Sequence, residues 1–136
     1  MKLTYGARTK QLLDGEMTVI RKDMPSFIPR RRRLILRAGD HVDAFNVDPQ
    51  YGGKPVAIVK IKSVLWQPVN VLFENPEYAR MEMQREGGVW PDLESYLDHI
   101  SRMYSPHRIS FELVGRYKSG AVLDCEVSEN VAVLDG

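Results

Sequence analysis

Residues 55–66 read PVAIVKIKSVLW, and this stretch decides the fold. β-Branched and apolar residues alternate with lysines over its length, the period-two pattern of a strand buried on one face. The alternation predicts Ala57, Val59, Ile61 and Leu65 on the inner face. It predicts Lys60, Lys62 and Trp66 on the outer one.

Upstream, Gly52-Gly53 and Ala38-Gly39-Asp40 are turns that bracket a second strand over 41–47, with Val42, Ala44 and Val47 inward. In that turn the Asp40 side chain is expected to bond its own backbone. Leu34-Ile35-Leu36 is a further strand-like run. Ahead of it, DMPSFIPRRRR carries prolines at 25 and 29 and no period, which makes it a basic loop. Met17 to Arg21 forms the strand before that loop, and Ala7 to Asp14 a short helix stopped by Gly15.

Downstream, Asn75-Pro76-Glu77 is a helix start: Asn caps free N–H groups, Pro suits the first helical position, and Glu suits the positive end of the dipole. Gly87-Gly88 ends that helix. A second begins at Trp90-Pro91-Asp92, where Leu93, Tyr96, Leu97, Ile100, Met103 and Tyr104 form one apolar stripe. Ile109, Phe111 and Leu113 alternate as another strand, and 122–127 with 131–134 suggest a C-terminal hairpin. The elements add up to an α+β domain over 1–118, a small, mostly antiparallel, barrel-like sheet with helices packed at its ends. Residues 119–136 are an extension to it.

At 136 residues the chain is long enough for one buried core. No apolar run approaches the ~20 residues of a membrane span. The N-terminus has no apolar stretch resembling a secretory signal, and the single Cys125 cannot close an intramolecular disulfide. A reducing cytoplasm is the expected compartment. His41, His99, His107 and Cys125 lack zinc-type spacing, so neither a metal nor a cofactor is expected. No phosphate loop or G-x-S-x-G elbow is present.

Net charge is +1, but it is polarised: residues 1–62 hold 13 Lys and Arg against 6 Asp and Glu, whereas residues 63–136 hold 6 against 12. A basic half centred on Arg30, Arg31, Arg32, Arg33 and Arg37 can attract phosphates through counterion release. Equally, it can be a solvated loop that pairs with the acidic half.

The order of Leu12-Leu13-Asp14-Gly15, Thr18-Val19-Ile20-Arg21-Lys22, Ala38-Gly39-Asp40, Glu86-Gly87-Gly88, Leu93 to Tyr104 and Ile109-Ser110-Phe111 resembles that of ASCH domains, small relatives of the PUA-type RNA-binding barrels. The resemblance runs from about Leu3 to Tyr117. It implies a cleft on one face of a barrel that receives RNA, a nucleotide or a modified nucleoside. In the branch that removes the acetyl group from 4-acetylcytidine, a Lys and a Thr from a G-x-K-T-x-T-I-R strand act with a Glu on a later helix. Here the Lys position falls on Met17 or Glu16, Thr18 matches a Thr, and the Glu position falls on Ser95, beside Glu94.

Three functions follow as expectations. The first is binding of RNA or another single-stranded nucleic acid, with Thr18, Arg21 and Lys22 in the cleft and Arg30 to Arg33 and Arg37 on the backbone. Lys60, Lys62 and Trp66 supply charge and a stacking surface. The second is a hydrolase acting on a modified pyrimidine nucleoside or on RNA, with Thr18 as nucleophile and Glu94 as acid. The third is a phage or prophage protein-interaction module that uses the acidic half and the extension to bind a protein partner.

Overall fold

The computed structural model describes residues 2–24, 36–118 and 122–124. Among the described residues six strands form one sheet: β1 (Lys2–Thr4), β2 (Val19–Asp23), β3 (His41–Phe45), β4 (Pro55–Trp66), β5 (Pro106–Lys118) and β6 (Val122–Asp124). Their order is β1-β3-β4-β5-β2, with β6 pairing the far end of β5. Only β1 with β3 is parallel; the other pairs are antiparallel. The sheet curls into a half-barrel.

Four helices accompany it: α1 (Thr9–Leu13), α2 (Asn70–Glu74), α3 (Pro76–Arg85) and α4 (Leu93–Ser101). Their starts follow the capping chemistry. Asn75 Oδ1 accepts the Tyr78 N–H at 3.2 Å and Asp92 Oδ1 accepts the Ser95 N–H at 2.7 Å. Past the last turn of α3, Gly87 and Gly88 have φ of 110° and 64°, values that side chains with a Cβ resist.

Two apolar clusters result. One fills the curl of the sheet with Leu3, Val42, Ala44, Val59, Ile61 and Phe111, closed by Leu12 of α1 and by Met17. The other joins the helices through Leu72, Ala79, Tyr96 and Ile100. No helix among the described residues is long and apolar enough to cross a membrane.

β4 has the predicted bounds, but its second half is turned over. Ile61 pairs with Phe111 and Ser63 with Ser110, so Lys62 is one residue more than its partner strand supplies. A bulge of this kind reverses the side-chain alternation beyond it. Val64 therefore packs against the inner core, while Leu65 is 53% exposed. Trp66, two residues beyond Val64, joins the concave face and leaves the face of Lys60.

Other departures are smaller. β3 ends at Phe45, and Val47 is exposed beyond it. β2 begins at Val19, with Met17 buried ahead of the strand. Tyr104 lies past the end of α4 and is exposed, so the apolar stripe stops at Ile100. β1 and α2 carry no sequence signal; the parallel strand is three residues and the helix five, too short to show a period. Leu34, Ile35, Arg30 to Arg33, Cys125 and the hairpin beyond Asp124 lie outside the described residues.

The bulge makes a direct prediction for adjacent residues. Leu65→Lys will change stability by no more than about 0.5 kcal/mol, whereas Val64→Lys will cost ~2 kcal/mol or more by placing a charge in the core. Urea unfolding of both variants checks it; a reversed order, with Leu65→Lys the costlier, would mean that the alternation runs through without a bulge.

Candidate nucleic-acid interface

Antiparallel register aligns β4, β5 and β2 into rungs, three of which define the site. Val64, Ile109 and Ile20 share a rung and belong to the inner core. Next come Leu65, Arg108 and Arg21, pointing to the opposite face because side chains alternate. Trp66, His107 and Lys22 form the third and return to the concave face, one step beyond the core.

The middle rung meets α3 in a buried ionic network. Glu82 has no exposed surface, Glu86 is 1% exposed and Arg21 6%. Arg21 Nη2 donates to Glu82 Oε1 at 2.6 Å and to Gln67 Oε1 at 2.5 Å; its Nη1 donates to Glu86 Oε2 at 2.7 Å and to the Tyr96 hydroxyl at 3.1 Å. Arg108 grips Glu82 with a fork, Nε to Oε1 at 2.5 Å and Nη2 to Oε2 at 3.2 Å. Arg85 Nη1 reaches Glu82 Oε2 at 2.8 Å, and the Tyr78 hydroxyl donates to Oε1 at 3.1 Å. Tyr96 donates to Glu86, and Arg8 approaches the other Glu86 oxygen at 3.4 Å while lying over the Trp90 ring.

Burial disfavours the Glu82 carboxylate, but hydrogen bonds from Arg108, Arg85 and Arg21 outweigh it and hold its pKa down to about 2. Burial pushes the Tyr96 hydroxyl upward, and the Glu86 charge adds to that, so it stays a donor. Burial alone would lower the Arg21 pKa; the Glu86 charge, Tyr96 and Glu82 raise it instead. Four guanidinium groups thus surround two carboxylates, a local surplus of positive charge.

Each candidate residue within the described part of the chain has a definite place. Arg21 is in ion pairs, but with Glu82 and Glu86 rather than Asp40 or Glu94. Its position on an outward rung aims it at α3, and its donors are taken up internally. Lys22 sits on the concave rung and also lines a pocket of about 260 Å³ with Leu3, Thr4, Arg8, Ile20, Arg21 and Asp48. That pocket lies at the seam between the two terminal strands of the path, β1 and β2. Trp66 is 58% exposed on the same concave rung. Lys60 is exposed on the outer face, in line with His41 and Glu112, and Lys62 is the exposed bulge residue. Arg37 is exposed, its backbone N–H donating to Asp40 Oδ2 at 2.9 Å in the turn that bonds Ile61.

Thr18 and Glu94 stand on separate elements. Thr18 is exposed, and its backbone ties Arg85 of α3 to Phe111 of β5. Glu94 is exposed in the first turn of α4, beside a surface cavity of about 630 Å³ lined by Phe73, Leu93, Leu97 and Asp98. No hydrogen bond joins the two among the described residues. Met17, where the resemblance calls for a Lys, is a core side chain.

Glu82 was not read from the sequence, and Glu86 and His107 were not read as site residues. A signal existed for the carboxylates: Ala79, Glu82 and Glu86 recur at helical spacing, which puts acids in the buried stripe of α3. Among the described residues no group of three or more His, Cys, Asp or Glu could hold a metal ion.

Strand order, register and helix placement define an α+β half-barrel. The structure is similar to that of protein EF3133 from Enterococcus faecalis V583, described under family-model DUF984, with a TM-score of 0.56 and 19% identity over 83% of this chain and 73% of that one. It is also similar to ASCH from Zymomonas mobilis, with a TM-score of 0.49 and 14% identity over 99% of this chain and 82% of that one. Neither a family model nor a curated protein matches the sequence.

The ionic network predicts an acid limit. Glu82 has a depressed folded pKa, so its contribution is complete above the ordinary carboxylate range and is lost as pH falls through that range toward about 2. Glu82→Gln will cost ~3 kcal/mol or more at neutral pH, because it leaves buried guanidinium groups uncompensated. It will also flatten the decline in stability between about pH 5 and 2. Urea midpoints measured across that range check both; a variant as acid-sensitive as the wild type would show that Glu82 does not set the limit.

Proposed function

We propose that the chain binds RNA or another single-stranded nucleic acid across the rim of its half-barrel, in the reducing compartment that its single cysteine suits. The carrying observation is the rung Trp66, His107, Lys22 on the concave face. Strands lie about 4.8 Å apart, so these side chains occupy a strip roughly 10 Å wide. That is an aromatic surface, an imidazole and an ammonium in line, and bases stack on aromatics inside basic grooves without strict sequence demands.

Two further features support it. Met24, directly after β2, donates its backbone N–H to the Ser105 carbonyl oxygen next to this rung, which places the end of β2 at the rim. Arg37 is exposed where the chain returns. In this proposal Trp66 stacks, Lys22 and the loop arginines neutralise phosphates, and Arg21 holds β2 in place from behind. Lys60 and Lys62, on the outer face and at the bulge, contribute long-range attraction.

Fluorescence anisotropy of a labelled single-stranded RNA tests the proposal at several salt concentrations. Trp66→Ala is expected to weaken binding about tenfold with little change in salt dependence, since base–aromatic stacking is worth ~1–3 kcal/mol. Replacing Arg30 to Arg33 by Ala should instead flatten the salt slope by roughly 0.7 for each phosphate no longer neutralised. No binding at low salt, or binding indifferent to Trp66, overturns the proposal.

A further inference from the structure

We infer that the rim discriminates among bases, favouring those with an exocyclic amino group, cytosine over uracil in particular, through Nε2 of His107; this rests on the binding function just proposed. His107 Nδ1 lies 3.0 Å from the Ser105 carbonyl oxygen. A carbonyl oxygen accepts and cannot donate, so in the neutral ring the proton sits on Nδ1 and Nε2 carries a lone pair.

The carbonyl that sets this tautomer is itself fixed. Ser105 O also accepts the Met24 N–H at 3.0 Å, the Ser105 N–H donates to Asp23 Oδ1 at 2.8 Å, and the Ser105 hydroxyl donates to Met24 O. The turn into β5 is thereby stitched to the end of β2, and the imidazole is oriented by backbone on both strands. Among the described residues nothing bonds to Nε2, and it is not a buried atom lacking a partner. An oriented acceptor faces the rim between the exposed Trp66 indole and Lys22.

A base stacked on Trp66 brings its edge to His107, its cross-strand neighbour. Cytosine offers at position 4 an amino group whose outer proton projects beyond the ring, and the lone pair of Nε2 accepts it. Uracil offers a carbonyl oxygen at the same position, so two lone pairs oppose each other. Its ring N–H, at N3, lies one position further along the edge, so donating to Nε2 would require the base to slide off its stack on Trp66. Adenine carries the equivalent amino group at position 6. The site is thus a reader of amino-bearing bases.

Anisotropy at pH 8 with labelled octacytidine and octauridine tests this, since both bases have one ring of the same size. The wild type is expected to bind octacytidine about tenfold tighter, the worth of one hydrogen bond. His107→Phe keeps a ring for stacking but has no acceptor, and will bind the two octamers alike. His107→Gln, whose amide oxygen restores an acceptor, will recover part of the preference, and thermal melts will separate loss of recognition from loss of fold. Equal wild-type affinity for the two octamers, or a preference that survives in His107→Phe, overturns the inference while leaving binding intact. If neither octamer binds at low salt, the binding function itself fails and the inference falls with it.

Discussion

A single carboxylate, Glu82, is where the helical layer meets the sheet. Three guanidinium groups and a phenol converge on it, from β2, from β5 and from α3 itself, with no solvent contact. Burying such charges is costly, and the arrangement stands because no buried polar side-chain atom in it lacks a hydrogen-bond partner. Its directionality matters as much as its strength. An apolar interface tolerates sliding, whereas a forked Arg108 and a four-way Arg21 accept α3 at one height and one rotation. Gln67, bonded to both Arg21 and Tyr78, brings the chain leaving β4 into the same contact.

The two faces of β2, β4 and β5 consequently do different work with the same rungs. On the outer side, arginines locked to α3 hold the strands in register. On the inner side, one residue further along, Trp66, His107 and Lys22 project from a backbone that cannot shift without breaking those pairs. Side chains presented from so constrained a support lose little entropy when they engage a ligand. The seam pocket between β1 and β2 shares Lys22 with this rim.

Much of this was legible in the chain. Asn75 and Asp92 announce their helices through local capping bonds, and β4 announces itself by alternation, because both signals are written within a few residues. The bulge at Lys62 was not, since it depends on how many residues β5 supplies opposite, and nothing within 55–66 records that number. Its effect was to exchange the places of Leu65 and Trp66. Arg21 stands out in the sequence, but its partners do not, because a buried Glu in a helical stripe looks like a solvated one until a cation from a distant strand is brought to it. Met17 is the converse: where the resemblance places a basic group, packing of the barrel interior uses an apolar one.

The strand order also governs when the molecule can exist at all. β2 is made early, yet among the described residues its only strand partner is β5, so Val19 waits for Ser110 and Arg21 for Arg108. β1 waits likewise for β3. During synthesis on the ribosome the basic N-terminal half therefore emerges without its sheet, while the compensating acids of α3 are still to come. Pairings this distant in sequence close slowly, on the millisecond-to-second scale typical of non-local β topologies. The first 62 residues, with 13 Lys and Arg against 6 Asp and Glu, leave the ribosome as a cationic polymer exposed to any polyanion near the exit tunnel; the acids of the second half then offset that charge, and β5 supplies the strand against which β2 closes.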